Sequence, residues 1–319
     1  MNTVGAYIQY PTTSINKKSQ NKSKNNKYLK MEEIPMKKSI LLVAVLMALV
    51  SLCLVFAGCD SGSSDSSDPT PVLPEDALSG VFTVNAEGKT VHFSKGNLQA
   101  TINVAGVPTA WKFAEKQYDY LGEDGANKSI GTAGGDIDLF GWSTNATSNN
   151  WGIHTKKEAT QNYTTGNFKD WGKAIGDGNT WHTLSKDEWE YLIETRNVNE
   201  DTGEGYSYQN AIINSDATGG GVYGMILYPD DYTEQTTATR YTSAEWLAME
   251  KAGCVFLPAA GFRDGSVVSR VGSYGHYWSS TPNDDDYASD LYFVFGSYVS
   301  PASSGMRYYG CSVRLVCGE

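Results

Sequence analysis

The chain has 319 residues and a formal net charge of −11, from 25 Lys and Arg against 36 Asp and Glu. This length supports one large domain or two small ones with an ample core, and the acidic balance repels phosphate backbones, so nucleic acid is excluded as an expected partner. Forty per cent hydrophobic residues, with 8 Trp and 20 Tyr, is the composition of a globular protein built on bulky anchors, not of a disordered one.

Residues 1–35 are polar and Lys-rich, with Met31 and Met36 both available as starts. They read as a disordered leader or an over-extended gene start. Met36-Lys37-Lys38 opens a positive segment, Ile40 to Phe56 is an apolar run, and Ala57-Gly58-Cys59 follows. Small residues ahead of a cysteine at the end of such a run form the pattern of a bacterial lipoprotein signal peptide over 36–58, cut before Cys59, whose thiol takes the lipid. A single membrane-spanning helix is the rival, and the run is short for one. Residues 59–79 form a Ser/Asp/Pro tether too polar to fold. Once residues 1–58 are removed, 17 basic and 34 acidic residues remain. Acidic residues close behind the lipid cysteine resemble the surface-export signal of Bacteroidetes lipoproteins, which implies an outer-membrane lipoprotein exposed at the cell surface.

Residues 80–319 read as the folded domain. Val81 to Val84 and Thr90 to Phe93 are two short strands around a turn at Glu87-Gly88. Gly122 to Gly152 is a long Gly-, Asn-, Ser- and Asp-rich stretch. Its Trp142, with Trp151, either plugs the core beneath a long loop or offers a sugar-stacking platform. Two helices announce themselves by capping boxes. Ser185 with Glu188 leads into Trp189, Leu192 and Ile193 on one face; Thr242 with Glu245 leads into Trp246 and Met249, with Gly253 as the stop. Cys254 to Gly261 reads as a buried strand, and Val267 to Val271 as a shorter one.

Of five cysteines, Cys53 falls in the signal segment and Cys59 takes the lipid. Cys254, Cys311 and Cys317 remain, enough for one disulfide, with Cys254–Cys317 suggested by their apolar strand-like settings, or for three buried thiols. No Cys/His spacing points to zinc. The four histidines, His92, His154, His182 and His276, are scattered and read as packing residues.

The last stretch differs in kind. From Ser273 to Cys311 there is no Lys, Glu or Gln, whereas these types fill 29 of the 213 positions from Asp60 to Gly272. Short apolar blocks (Tyr277-Trp278, Leu291, Phe293, Val313 to Val316) alternate with Ser, Tyr, Asp, Asn and Gly. Ordinary surface uses long charged side chains; Tyr with small polar residues is the composition of a paratope. A Gly/Ser-rich β meander with ordinary loops is the plainer alternative.

Gly275, Tyr277 to Thr281, Ala288, Leu291, Phe293, Pro301, Arg307, Gly310 and Ser312 to Val316 together resemble the C-terminal block of Bacteroidetes lipoproteins of the formylglycine-generating-enzyme-like and Fibrobacter-succinogenes-major-paralogous group. The resemblance, which covers roughly residues 90–317, implies an α+β, C-type-lectin-like fold with two helices, short antiparallel strands and long irregular loops, and an opening hairpin that pairs with the C-terminal strand. Residues 272–316 are most similar to the variable region of proteins diversified by retroelements. There, adenine mutation converts Asn codons to others but never to Lys, Glu, Gln, Trp or Met, so Trp278 and Met306 would occupy unmutated positions.

The expected function is therefore a non-enzymatic, surface-anchored recognition or adhesion protein for a protein or glycan ligand. Its contacts would be Tyr274, His276, Asp284, Asp285, Tyr287, Ser289, Asp290, Tyr292, Tyr298, Tyr308 and Tyr309. A non-diversified glycan-binding or adhesin module is the second expectation. An enzyme of the formylglycine-generating type is the third, and it requires Cys254 and Cys311 to converge. No cofactor is indicated. Asp284, Asp285 and Asp286 with Asp290 could hold Ca²⁺ through carboxylate oxygens, but the Ca²⁺-lectin sugar motifs are absent, which favours a solvated loop.

Overall fold

The computed structural model describes residues 72–145, 151–155, 167–176, 178, 180–196, 207–215, 219–234 and 236–318. The expected leader, the expected signal segment and Cys59, the expected lipid attachment point, lie outside the described residues. The expected tether reaches too far, because its last residues are already pinned to the domain. Asp76 O accepts from Lys95 N at 2.7 Å, Leu78 N donates to Phe93 O at 2.8 Å, and Ala77 bridges Ser94.

Alternating apolar residues organise the opening and the close of the chain into one sheet. β1 (Phe82–Thr83) pairs with β2 (Thr90–Phe93), and β2 pairs with the C-terminal strand β15 (Leu315–Gly318), whose other edge takes β6 (His182–Thr183). The expected pairing of the two ends of the domain is thus observed. Leu315, Val316 and Cys317 are buried, as suits a strand flanked on both edges.

The described residues form four further small sheets. β3 (Leu98–Ile102) lies between β4 (Pro108–Phe113) and β5 (Gly135–Ile137); β8 (Val222–Leu227) lies between β7 (Tyr208–Ile213) and β9 (Val255–Pro258). β10 (Phe262–Asp264) pairs with β11 (Val267–Ser269), and β12 (Tyr274–Pro282), β13 (Tyr287–Val294) and β14 (Tyr298–Met306) form a meander. Every ladder among these strands is antiparallel.

This architecture overturns the expected α+β, C-type-lectin-like fold. Among the described residues, strand accounts for 39% and helix for 12%, in five small antiparallel sheets with two short α-helices. Both capping boxes are present, so the helix starts were read correctly. What failed was the weight given to the helices. α1 (Lys186–Glu190) has five residues before the backbone widens into a π turn over Tyr191–Thr195, and α2 (Ser243–Lys251) has nine. Neither is a layer of the fold; each delivers a few side chains to sheets that supply the rest of the core. Trp189, Leu192 and Ile193 join Phe82, Phe93, Leu257 and Leu291, while Trp246 and Met249 pack with Tyr228 and Phe256. Gly253 ends α2 at φ +88°, and a side chain there would meet Gly80 Cα at 2.6 Å.

The long polar stretch after β4 is ordered from within. Asn127 is fully buried: its Nδ2 donates to Gly122 O and Asp138 Oδ1, and its Oδ1 accepts from the N–H groups of Asp138 and Leu139. Asp138 also accepts from Leu121 N at 2.6 Å. Burial raises the Asp138 pKa more than these donors lower it. The folded state therefore holds the Asp138 proton more tightly than the unfolded chain does. Its contribution destabilises the fold progressively as pH rises from about 4, the ordinary carboxylate range. We expect urea midpoints to show this falling component as pH rises above about 4, and Asp138→Asn to remove it. The readout is the pH slope, since the substitution also changes absolute stability.

Candidate functional site

The β12–β13–β14 meander separates two faces by strand periodicity. On one face Gly275, Tyr277, Leu291 and Phe293 are buried in the core. Gly275 matters there, because a side chain would stand 2.1 Å from the Phe293 ring of its cross-strand partner. On the other face the register sets His276 opposite Tyr292, Tyr292 opposite Ser300, and Tyr274 and Tyr298 on either side of Val294.

The outward side chains form a continuous series of ring contacts. His276 stacks on Tyr292 at 4.6 Å between centroids, and Tyr292 meets Tyr274 at 5.5 Å and Tyr298 at 5.9 Å. Phe262, from β10, approaches His276 at 5.3 Å and Tyr309 at 5.2 Å, and Tyr309 packs against Tyr308 at 5.1 Å. The Arg270 guanidinium lies 5.2 Å from the Tyr274 ring. Burial, with Tyr274 beside it, pushes the Tyr292 phenol up to about 12, and burial raises Tyr308 also. At neutral pH both hydroxyls are protonated, able to donate and to accept.

Of the eleven expected contact residues, the structure brings six together on this surface: Tyr274, His276, Tyr292, Tyr298, Tyr308 and Tyr309. Asp284 and Asp285 are exposed in the hairpin between β12 and β13. Asp284 is partly committed to the turn, since its Oδ1 accepts from the N–H groups of Asp286 and Tyr287. Tyr287 is half-buried, and its carbonyl is held by Arg307 Nε at 3.0 Å; Arg307 also donates to Asp284 O and lies over the Trp142 ring.

Ser289 and Asp290 are corrections. Both are fully buried. Ser289 Oγ donates to Asn283 Oδ1, and Asp290 Oδ2 is 2.7 Å from His276 Nδ1. The physical reason lies in the register: Asp290 sits opposite Trp278, where the meander's outward face runs under Phe140 and the Cys311 segment. Asp290 is consequently turned away from the exposed aspartates of the hairpin, and the four do not converge as a Ca²⁺ set.

Sequence reasoning missed Phe262, which links two halves of the ring series, and the proximity of Cys311 to His276 and Asp290. Alternation within β10 could have pointed to Phe262; Cys311 lies 21 to 35 residues from its neighbours, and no local pattern reports that contact. All three remaining cysteines are buried free thiols. Cys254 and Cys317 belong to separate core clusters, as do Cys254 and Cys311, so neither the suggested disulfide nor the cysteine pair of a formylglycine-generating enzyme is assembled. Burial raises all three thiols, Cys254 to about 12. Trp142 is buried, its Nε1 donating to Ser279 O at 2.9 Å, and so plugs the core. Trp151 is half-buried beneath Lys169 Nζ at 3.6 Å. A separate cleft of about 650 Å³ is lined by Tyr118, Tyr120 and Asp124, with Lys112 and Asp136 paired at 2.6 Å; it contains none of the eleven residues.

The sequence family described as Domain of unknown function (DUF8237) matches residues 230–316. That span takes in the whole meander, Phe262 and all eleven expected contact residues, and covers 87 of the 319 positions. No curated protein and no solved structure matches the chain. No helix among the described residues is long and apolar enough to cross a membrane.

Proposed function

We propose that this chain is a recognition protein whose contact surface is the outward face of β12–β13–β14 extended by Phe262, Tyr308 and Tyr309. The observation that carries this reading is the unbroken series of rings on one side of a sheet whose other side is core. Tyrosine provides large, stiff, amphipathic contact area at low entropic cost, and the neighbouring serines provide adaptable hydrogen bonding. Surface made this way is suited to a protein epitope or a glycan. Export and anchoring through a lipid on Cys59 would hold the face outside the cell. Because outward and core residues alternate, outward positions can change without removing core contacts, as a region diversified by codon mutation requires.

The test is a triple substitution of Tyr274, Tyr292 and Tyr298 with alanine. The chain lacking residues 1–58 is applied to a glycan array and to an array of extracellular protein ectodomains. The expected result is at least one ligand bound by the parent and weakened at least tenfold in the variant, with the cooperative thermal transition retained. Binding unchanged by the triple substitution would remove the reading.

A further inference from the structure

Just inside the aromatic face, three side chains of different chemistry converge. One ring nitrogen of His276, one carboxylate oxygen of Asp290 and Cys311 Sγ all lie within 4.8 Å of one another. They come from three separate segments: β12, β13 and the strand-like bridge between Cys311 and Phe140. The His276–Asp290 hydrogen bond accounts for only part of this arrangement. It satisfies Asp290 Oδ2, yet Oδ1 of the same carboxylate is shut away from solvent with no hydrogen-bond partner. A carboxylate oxygen buried without a donor or a cation is costly, and here it lies in the group that also holds a nitrogen and a sulfur donor.

We propose that His276, Asp290 and Cys311 form a mononuclear site for a divalent first-row transition metal of the zinc class. The donor set decides the class: imidazole and thiolate disfavour Ca²⁺ and Mg²⁺, which take oxygen ligands, and favour Zn²⁺ and its close analogues. Tetrahedral zinc spaces N, O and S donors roughly 3.3–3.5 Å apart. The three donors thus need to move by about 1 Å or less to close on an ion, and Asp290 can exchange its hydrogen bond with His276 for a shared metal. On binding, the Cys311 thiol transfers its proton to solvent and the thiolate becomes a ligand. Three protein ligands leave a fourth position. Asp290 is 1% exposed and His276 17%, so that position opens on the His276 side, beside Phe262 and Tyr292, to water or to a group from outside. The site stands whether or not the face above it binds a ligand.

Co²⁺ is the probe, because cobalt–thiolate bonding gives a near-ultraviolet charge-transfer band that carboxylate or imidazole sites lack. The full chain, stripped with a chelator under reducing conditions, is titrated with Co²⁺ and then with Zn²⁺. The expected result is a band saturating at one equivalent and bleached by Zn²⁺, with Zn²⁺ raising the thermal midpoint. Cys311→Ser abolishes the band, and His276→Gln, at a half-buried position that perturbs the core less, weakens Co²⁺ binding at least tenfold. Cys254→Ser and Cys317→Ser keep it. The proposal is overturned by absence of the band in the folded parent. It is equally overturned by a band that survives Cys311→Ser or by binding that His276→Gln leaves unchanged. If Cys311→Ser fails to fold, the His276→Gln titration decides alone.

Discussion

Trp278→Ala lowers stability by about 3–5 kcal/mol, while Tyr292→Ala, on the facing strand of the same meander, costs about 1 kcal/mol or less. Trp278 is 1% exposed in the core cluster with Phe140, Trp142 and Trp171, and its Nε1 donates to Phe140 O at 2.7 Å. Alanine leaves a cavity and removes one of the two donors to that carbonyl, which keeps Cys311 N at 2.9 Å. The Gly305 position packs against the indole, with a hypothetical Cβ at 3.0 Å from it, so the surrounding backbone has little freedom to collapse inward. Tyr292 sits on the outward face, stacked only on its aromatic neighbours. Urea unfolding of the two variants checks the contrast. Equal losses would mean that the outward rings are structural, and the proposed contact surface would fail with them.

Asn127→Ala is expected to cost about 3 kcal/mol or more, from four buried polar contacts broken at once. The backbone N–H groups of Asp138 and Leu139 and the carbonyl of Gly122 lose this partner, and the Asp138 carboxylate loses one donor while keeping Leu121 N. No water can reach the site to replace them without opening the loop, since Asn127 and Asp138 are both fully buried. The consequence reaches the core through Phe140, two residues after Asp138, whose carbonyl holds Trp278. A lowered thermal midpoint with faster proteolysis between Leu121 and Gly135 is the expected signature; a midpoint unchanged within experimental error would show that the network contributes little.

Several features were legible because they depend on neighbours in the chain. The two capping boxes need only residues three apart, and both are present. Gly253 was identifiable as a helix stop because a positive φ favours glycine. Alternation in the final block separated Tyr277, Leu291 and Phe293 from Tyr274, His276 and Tyr292, since a strand turns successive side chains to opposite faces. The fold class was not legible. Capping boxes mark where helices begin and not how far they run, and α1 loses regular geometry after five residues.

Asp290 shows the limit of alternation, whereas Ser289 shares the parity of Leu291 and Phe293 and follows their core face. Asp290 shares the parity of Tyr292, but there the meander runs beneath the Phe140 and Cys311 segments, and what covers a strand is decided by other strands. The sequence by itself determined the local grammar of this protein: an apolar run from Ile40 to Phe56 followed by Ala57-Gly58-Cys59, two helix starts, and a tail whose composition departs from ordinary surface. Only the tertiary structure decided which of those tail residues meet. It drew six candidates and Phe262 into one aromatic surface, buried two others, and placed Cys311 beside His276 and Asp290. Such contacts join residues tens of positions apart, and strand register and layering, not spacing along the chain, set the distances between them.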